Sequence, residues 1–501
     1  MKTVLRVAFA VTLALIGFAV GPAACGSKNP NGPGGEDGGE DGGCGYNCSP
    51  AGGGDGSLSF GNDGSVPITY PMGNCTGSAT TSISGTVYDP ANVNPIYNVT
   101  VYVPGVTLPL PDLPDGVSCN SCADLYSTPL AAAVTDATGH FSIPNAPVGA
   151  KIPLVVQVGK WRMVYTIANV AQCVDNPQPA HSLRLPKNHM EGSLPNFAIS
   201  TGAADSLECL LLRMGVDPGE YTGGSGGTGR LHIFTGYMGA VTQGGTSPDP
   251  GMTLWDQDMD INQFDVVLLS CEGQETVNMN QKVMWDYANG GGRVFASHFH
   301  YAWFDTGPFA TMISPALATW TPGVQLIGGT GASGDVVSAN IVTTLPNGMA
   351  FPEGAALSKW LGVVGATGVL GAPAGELPII YACNNAEVTA TNSYSQSWAA
   401  TDKNAPVQSA TEYFSFDLPV GTSAEGKCGR VVYSDLHVSG GAGGTARGSL
   451  PGDYASSLEI VPSQCATGVL SPQEKALEFM IFDLSSCLIP IGMVGMPPTV
   501  Q

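Results

Sequence analysis

FDVVLLSCEG, residues 264–273, is the stretch whose reading decides the fold. Val266, Val267, Leu268 and Leu269 are apolar without alternation, so both faces of this strand must be buried. That is the pattern of a parallel sheet covered by helices. Upstream, Asp205 to Met214 reads as a helix with Leu207, Leu210, Leu211 and Met214 on one stripe, and Leu231-His232-Ile233-Phe234-Thr235 reads as a buried strand. Downstream, Met279 to Asn289 turns Val283, Met284 and Tyr287 inward and stops at Gly290-Gly291-Gly292, before the strand Arg293-Val294-Phe295-Ala296-Ser297. Arg430-Val431-Val432-Tyr433-Ser434 is a further strand. Ser471-Pro472-Gln473-Glu474 then opens a last helix with a capping box, and Ala476, Leu477, Met480, Ile481 and Leu484 repeat at helical spacing. Strand, helix, strand with short links predicts an α/β parallel-sheet domain over 198–305 and 426–490.

Residues 306–425 interrupt that domain as an insertion rich in Gly, Ala, Thr and Ser, with alternating apolar positions near 375–382 and 411–417. It is expected to be β-rich, a lid or a separate small sheet, with Tyr394, Trp398, Tyr413 and Phe414 placed to roof the strand ends. Residues 491–501 are a tail. Ahead of the α/β domain, 57–197 carries short runs of period two, such as Ile83 to Tyr88 and Asn98 to Val103, broken by turn residues. These predict a small antiparallel β-sandwich, so the chain is multidomain. The strand Ile152 to Val158 belongs to it, and Trp161 and Tyr165 are its candidates for stacking on a sugar ring.

The first 56 residues are of another kind. Lys2 and Arg6 precede an apolar run from Val7 to Val20, shorter than the roughly 20 residues that cross a bilayer as a permanent helix, so 1–25 reads as an export signal. From 26 to 56 the repeated Gly-Gly-Glu-Asp has almost nothing apolar to bury and reads as a disordered tether. The chain of 501 residues has 18 Lys+Arg against 40 Asp+Glu, a formal charge of −22. That charge repels phosphate, which argues against nucleic acid and anionic lipid as partners.

Thirteen cysteines in an exported chain imply disulfides. Setting Cys25 aside leaves Cys44, Cys48, Cys75, Cys119, Cys122, Cys173, Cys209, Cys271, Cys383, Cys428, Cys465 and Cys487. Cys271 stands apart by position, as a reactive thiol, a buried thiol or a disulfide partner.

In an open parallel sheet, ligands bind beyond the carboxyl ends of the strands. Three predicted strand ends are polar: Cys271, Glu272 and Gln274 after the first, Ser297, His298 and His300 after the second, Asp435 and His437 after the third. Two active arrangements are open. His298 and His300, two apart on an extended segment, would share a side and with His437 or Asp435 hold a divalent metal such as zinc. Alternatively Ser297 would be a nucleophile activated by His437 and oriented by Asp435 or Glu272. The third alternative is that these side chains satisfy buried backbone groups and one another.

Three resemblances add to these readings. Residues Val7 to Cys25 resemble a bacterial lipoprotein signal, which implies lipidation of Cys25 and a membrane partner reached through that anchor. Gly85-Thr86-Val87-Tyr88-Asp89, the strand around Val99 to Val103 and Thr135-Asp136-Ala137-Thr138-Gly139-His140-Phe141 resemble carboxypeptidase regulatory-like domains, which act as spacers or sugar-binding modules and imply a glycan partner. The stretches 264–271, 286–295 and 429–437 resemble the class I glutamine amidotransferase-like fold, nearest its trehalose-utilisation-like members. That family's amidotransferases put a nucleophilic cysteine in the elbow after the strand that here ends at Ser297; this chain has His298 there, so glutaminase activity is not expected.

Together these imply a lipid-anchored protein of the outer membrane, cell surface or periplasm, binding glycan or another ligand, or alternatively hydrolysing carbohydrate or cell-wall material. The mature chain should be recovered with membranes, its leader removed and its cysteines oxidised, as read by fractionation and intact mass. Recovery from the cytosol with an uncut leader and reduced thiols would overturn export.

Overall fold

Alternating apolar residues in short runs build a two-layer sandwich at the front of the structure. A computed structural model describes residues 67–500 except 120–124, 127, 243–246, 278–279, 324–325, 328–335, 381, 402–410, 439–459 and 490. The signal with Cys25, the tether, Cys44, Cys48 and Cys122 lie outside the described residues, as does the side chain of Cys383. The sandwich strands are β1 (Ser82–Tyr88), β2 (Thr100–Pro104), β3 (Pro129–Val134), β4 (His140–Pro144), β5 (Gly149–Val158), β6 (Trp161–Val170), β7 (Asp175–Pro177) and β8 (Leu183–Arg184). One sheet is antiparallel in the order β3-β2-β5-β6. In the other, β4 is antiparallel to β1 but β7 and β8 run parallel to it, so the expectation of a wholly antiparallel sandwich is corrected.

The turn before β4 explains itself chemically. Asp136 Oδ1 accepts from the amides of Thr138 (2.7 Å) and His140 (3.2 Å). Gly139 sits at φ +71°, with Pro95 and the Val87 carbonyl too close to admit a Cβ.

Ten further strands form one sheet: β9 (Phe197–Thr201), β10 (Tyr221–Gly223), β11 (Leu231–Thr235), β12 (Val266–Leu269), β13 (Arg293–Ser297), β14 (Val337–Ile341), β15 (Leu377–Ile379), β16 (Ser395–Thr401), β17 (Thr411–Leu418) and β18 (Gly429–Ser434). Their order is β10-β11-β9-β12-β13-β18-β17-β16-β14-β15. From β10 to β18 every pairing is parallel, and from β18 to β15 every pairing is antiparallel. The insertion is therefore not wholly a separate small sheet. Four of its strands carry the parent sheet onward, and Trp398, Tyr413 and Phe414 are buried in it as core.

The joint between the two halves is held by Arg430 on β18. Its Nε donates to Asp417 Oδ1 on β17 (2.8 Å) and its Nη1 to Asp483 Oδ2 on the last helix, Pro472–Ser485 (2.9 Å). All three side chains are buried, so removing one partner would leave unpaired charge in a low dielectric. That helix begins with the expected capping box: Ser471 Oγ accepts from the Glu474 amide (3.2 Å) and Glu474 reaches back to the Ser471 amide (2.8 Å).

Sandwich and large sheet share one apolar core. Trp161 is completely buried and sets its ring edge-on to Phe197 of β9 and Phe482 of the last helix, at centroid distances of 6.0 and 5.7 Å. It cannot stack on a sugar, and the Tyr165 hydroxyl is engaged by the Arg184 backbone.

Among the described residues three disulfides add covalent ties: Cys75–Cys173, Cys119–Cys428 and Cys209–Cys465, closing 98, 309 and 256 residues. Loops of that length lose enough unfolded-state entropy to stabilise by about 4 kcal/mol or more each. Such bonds are compatible with a non-cytoplasmic location. Cys487, expected among the bridged cysteines, has its sulfur 3.6 Å from the Tyr126 hydroxyl.

Asp89, just after β1, and Glu478 on the last helix form a buried carboxyl pair, with Asn94 Nδ2 donating to Glu478 Oε2 (2.7 Å). Burial first, and for Glu478 the Asp89 charge second, raise both above the ordinary carboxylate range. The folded chain thus keeps protons that the unfolded chain releases above about pH 4, so this pair's contribution falls as pH rises. Glu478→Gln should gain stability relative to wild type between pH 5 and 8 in urea titrations. A constant difference across that range would refute the linkage.

Candidate functional site

Parallel hydrogen bonding sets three strand ends level. Leu269 of β12 pairs with Ala296 of β13, and Ala296 with Tyr433 of β18, so the residues two positions on, Cys271, His298 and Asp435, leave the sheet in one row. β9 lies on the other side of β12. The chain runs from β9 to β10 and β11 on one flank, then crosses to β12 on the other, which makes β9/β12 the point where strand order reverses. The loops leaving these two strands touch: a Cβ on Gly202 would lie 2.1 Å from the Cys271 carbonyl oxygen, so only glycine fits.

Beyond this row the side chains converge. Cys271 Sγ lies 3.2 Å from His298 Nδ1, and the Gly273 amide points at the same sulfur at 3.4 Å. The ring of His298 stands 5.0 Å, centroid to centroid, from that of His437. Among the described residues these three form a group whose donor atoms all lie within 4.8 Å of one another, each donor residue being buried. A thiol and two imidazoles at that spacing could hold a metal ion.

His298 is held in an unusual backbone state. It follows the last residue of β13 at φ +44°, a left-handed conformation that a non-glycine residue adopts only when its surroundings impose it. The Tyr433 hydroxyl lies 3.0 Å from its carbonyl and 2.7 Å from Asp435 Oδ1. Asp435 Oδ2 accepts from the amides of Asn385 (3.0 Å) and Ala386 (3.2 Å), fastening the insertion above the strand end.

Burial keeps the group neutral. It drives the Cys271 thiol up, only partly offset by the Phe299 and Gly273 amides. It pushes His298 well below the usual imidazole range, helped by His437 and opposed by the Asn385 side chain. His437 is lowered by burial, with the Asp205 carboxylate opposing. Asp435 is pushed up to about 7 by burial, and Glu272 is also raised by it. A thiolate–imidazolium pair of the kind used by cysteine nucleophiles is disfavoured here.

Several expected residues go elsewhere. His298–Tyr301 is a turn of 3₁₀ helix rather than an extended segment, so residues two apart point in different directions. His300 consequently sets its Nε2 on the Ser270 carbonyl at 2.9 Å, and burial lowers its pKa to about 4. Ser297 Oγ donates to Asp205 Oδ2, not to a histidine. Glu272 is buried beside Gly236, at the exit of β11. Asp205 is the residue that sequence reasoning missed: its strand, Phe-Ala-Ile-Ser-Thr, is short and runs into small residues, so it was not recognisable as a strand end.

No protein-family model matches the chain, and no curated protein matches it. Two solved structures show a partial likeness, chains from a C-terminal and an N-terminal interface mutant of a type II cohesin–X–dockerin complex from Acetivibrio cellulolyticus. They are 14% and 16% identical, cover 25% and 27% of this chain and 78% and 85% of those chains, and have TM-scores of 0.15 and 0.16. Scores of that size establish neither a shared fold nor a shared activity.

In the metal-free folded protein, Cys271 should react with a thiol reagent at pH 8 far more slowly than after denaturation, because burial disfavours its thiolate. Modification at the rate of an exposed thiol would contradict the burial and the neutral pairing with His298.

Proposed function

We propose that the chain is an exported, lipid-anchored protein of the cell envelope whose α/β domain binds a soft divalent metal, zinc in the first instance, through Cys271, His298 and His437. The observation that carries this is the convergence of three buried donors within 4.8 Å at the row of strand ends. The donor chemistry fits: thiolate and imidazole suit zinc, and a cation stabilises the thiolate that burial alone disfavours. His298 fits as well: its Nδ1 faces the Cys271 sulfur, and its Nε2 is buried with no hydrogen-bond partner among the described residues.

Three protein donors, rather than four, are the ligand count of catalytic zinc sites, which leave a position for water or substrate. When bound there, zinc would lower the pKa of a coordinated water. The chain's own residues then do the positioning: Tyr433 engages the His298 backbone, Asp435 fastens Asn385 and Ala386 over the site, and His300 anchors the end of β12. Metal-assisted hydrolysis is the reaction class this supports; carbohydrate or cell-wall material as the substrate comes from the sandwich's resemblance, and Trp161, being core, offers no platform for passive sugar binding. Export is supported by the leader pattern and the three disulfides, and a glycan partner by the sandwich's resemblance alone.

Full-length, tag-free protein loaded with zinc, freed of excess and analysed by elemental mass spectrometry should carry one equivalent. Cys271→Ser and His437→Ala should each weaken binding at least about tenfold, while His300→Ala retains it. A wild type that holds no metal after loading, or equal metal in the two ligand variants, would overturn the site.

A further inference from the structure

A three-donor site assembled from three separate strand ends needs something to keep those ends in step, because each exit loop leaves the hydrogen-bonded ladder just before its donor. We infer that Asp205 is the positioning residue of the metal site, the residue that sets the mutual placement of Cys271, His298 and His437. The inference rests on the proposed metal site and deepens it.

The contacts of Asp205 reach the residues beside two donors, and those of its neighbour Ala204 reach the backbone of the third. Asp205 Oδ2 accepts from Ser297 Oγ, the residue immediately before His298. Asp205 Oδ1 accepts from the Val438 amide at 2.9 Å, the residue immediately after His437, and from its own neighbour Ser206 at 2.9 Å. The Ala204 amide, one residue earlier, donates to the Cys271 carbonyl at 3.0 Å. One short segment leaving β9 therefore grips the backbone or the adjacent side chain at every donor. The carboxylate is itself buried, and the close approach at Gly202 pins the segment against Cys271.

Charge points the same way. A divalent ion with one thiolate and two neutral imidazoles carries a net positive charge, and a buried carboxylate beside it brings the group to neutrality. Asp205 holds its carboxylate against the residues flanking His298 and His437, so its charge lies beside the donor group. Outer residues of this kind alter metal affinity by about 10–100-fold when removed.

Cobalt(II) is the probe, because its visible bands report ligand geometry directly. Full-length wild type, Asp205→Asn, Asp205→Ala and Ser297→Ala would be loaded with cobalt(II), and their spectra, dissociation constants and apo thermal midpoints measured. Asp205→Asn keeps acceptors for the Val438 and Ser206 amides but removes the charge, so it should fold even where Asp205→Ala does not. The expected result is a cobalt affinity about tenfold weaker in Asp205→Asn, with shifted or weakened bands, and a smaller shift in the same direction in Ser297→Ala. A residue that only supported the fold would lower the apo midpoint and leave the bands of the loaded protein unchanged. Superimposable spectra with dissociation constants within twofold would therefore overturn the role of Asp205 while leaving the metal site standing. A wild type that takes up no cobalt would overturn both.

Discussion

The register of the parallel strands is the constraint from which the rest follows. Leu269, Ala296 and Tyr433 stand side by side in β12, β13 and β18, and parallel ladders leave no freedom for one strand to slip without turning its side chains to the wrong face. Because all three runs are buried on both faces, a slip would force side chains shaped for one packed layer into the other, and close packing locks the row. Cys271, His298 and Asp435 leave the sheet level with one another as a geometric consequence. The strand-end side chains inherit their proximity from the sheet, not from any attraction of their own.

A parallel sheet that stopped at β18 would end in an unpaired edge beside this row. The insertion removes that edge: β17 pairs antiparallel to β18, and three more strands follow. The change of direction places Asp417 opposite Arg430, and the last helix brings Asp483 to the same guanidinium. The same insertion returns over the strand ends at Asn385 and Ala386, where Asp435 holds it by two backbone amides. One segment thus finishes the sheet and covers the strand ends, which is why it is not wholly a separate sheet.

Burial has opposite consequences at the two polar centres. Around Arg430 the charges are paired, so burial rigidifies the joint. Around Cys271 and His298 the groups are neutral, and their strand ends are instead positioned by a left-handed residue, a glycine-only contact and the carboxylate of Asp205. Neutral soft donors held close together by the scaffold are suited to receive a cation.

Much of this was legible in residue order alone. The apolar runs announced β11, β12, β13 and β18, because burial on both faces writes itself into consecutive residues. The capping box at Ser471 and the turn at Asp136 were readable because their partners lie within a few positions. The polar strand ends followed from those strands, so Cys271, His298 and His437 were all in view. What residue order could not decide was which of them meet. His300 turns away because the chain coils into 3₁₀ helix after Ser297, and Asp205 takes part because β9 lies between β11 and β12. The insertion joins the parent sheet because β17 finds β18. Local periodicity depends on neighbours along the chain, whereas strand order, register and the meeting of donors depend on pairings between segments tens to hundreds of residues apart, and those exist only once the sheet has closed around its core.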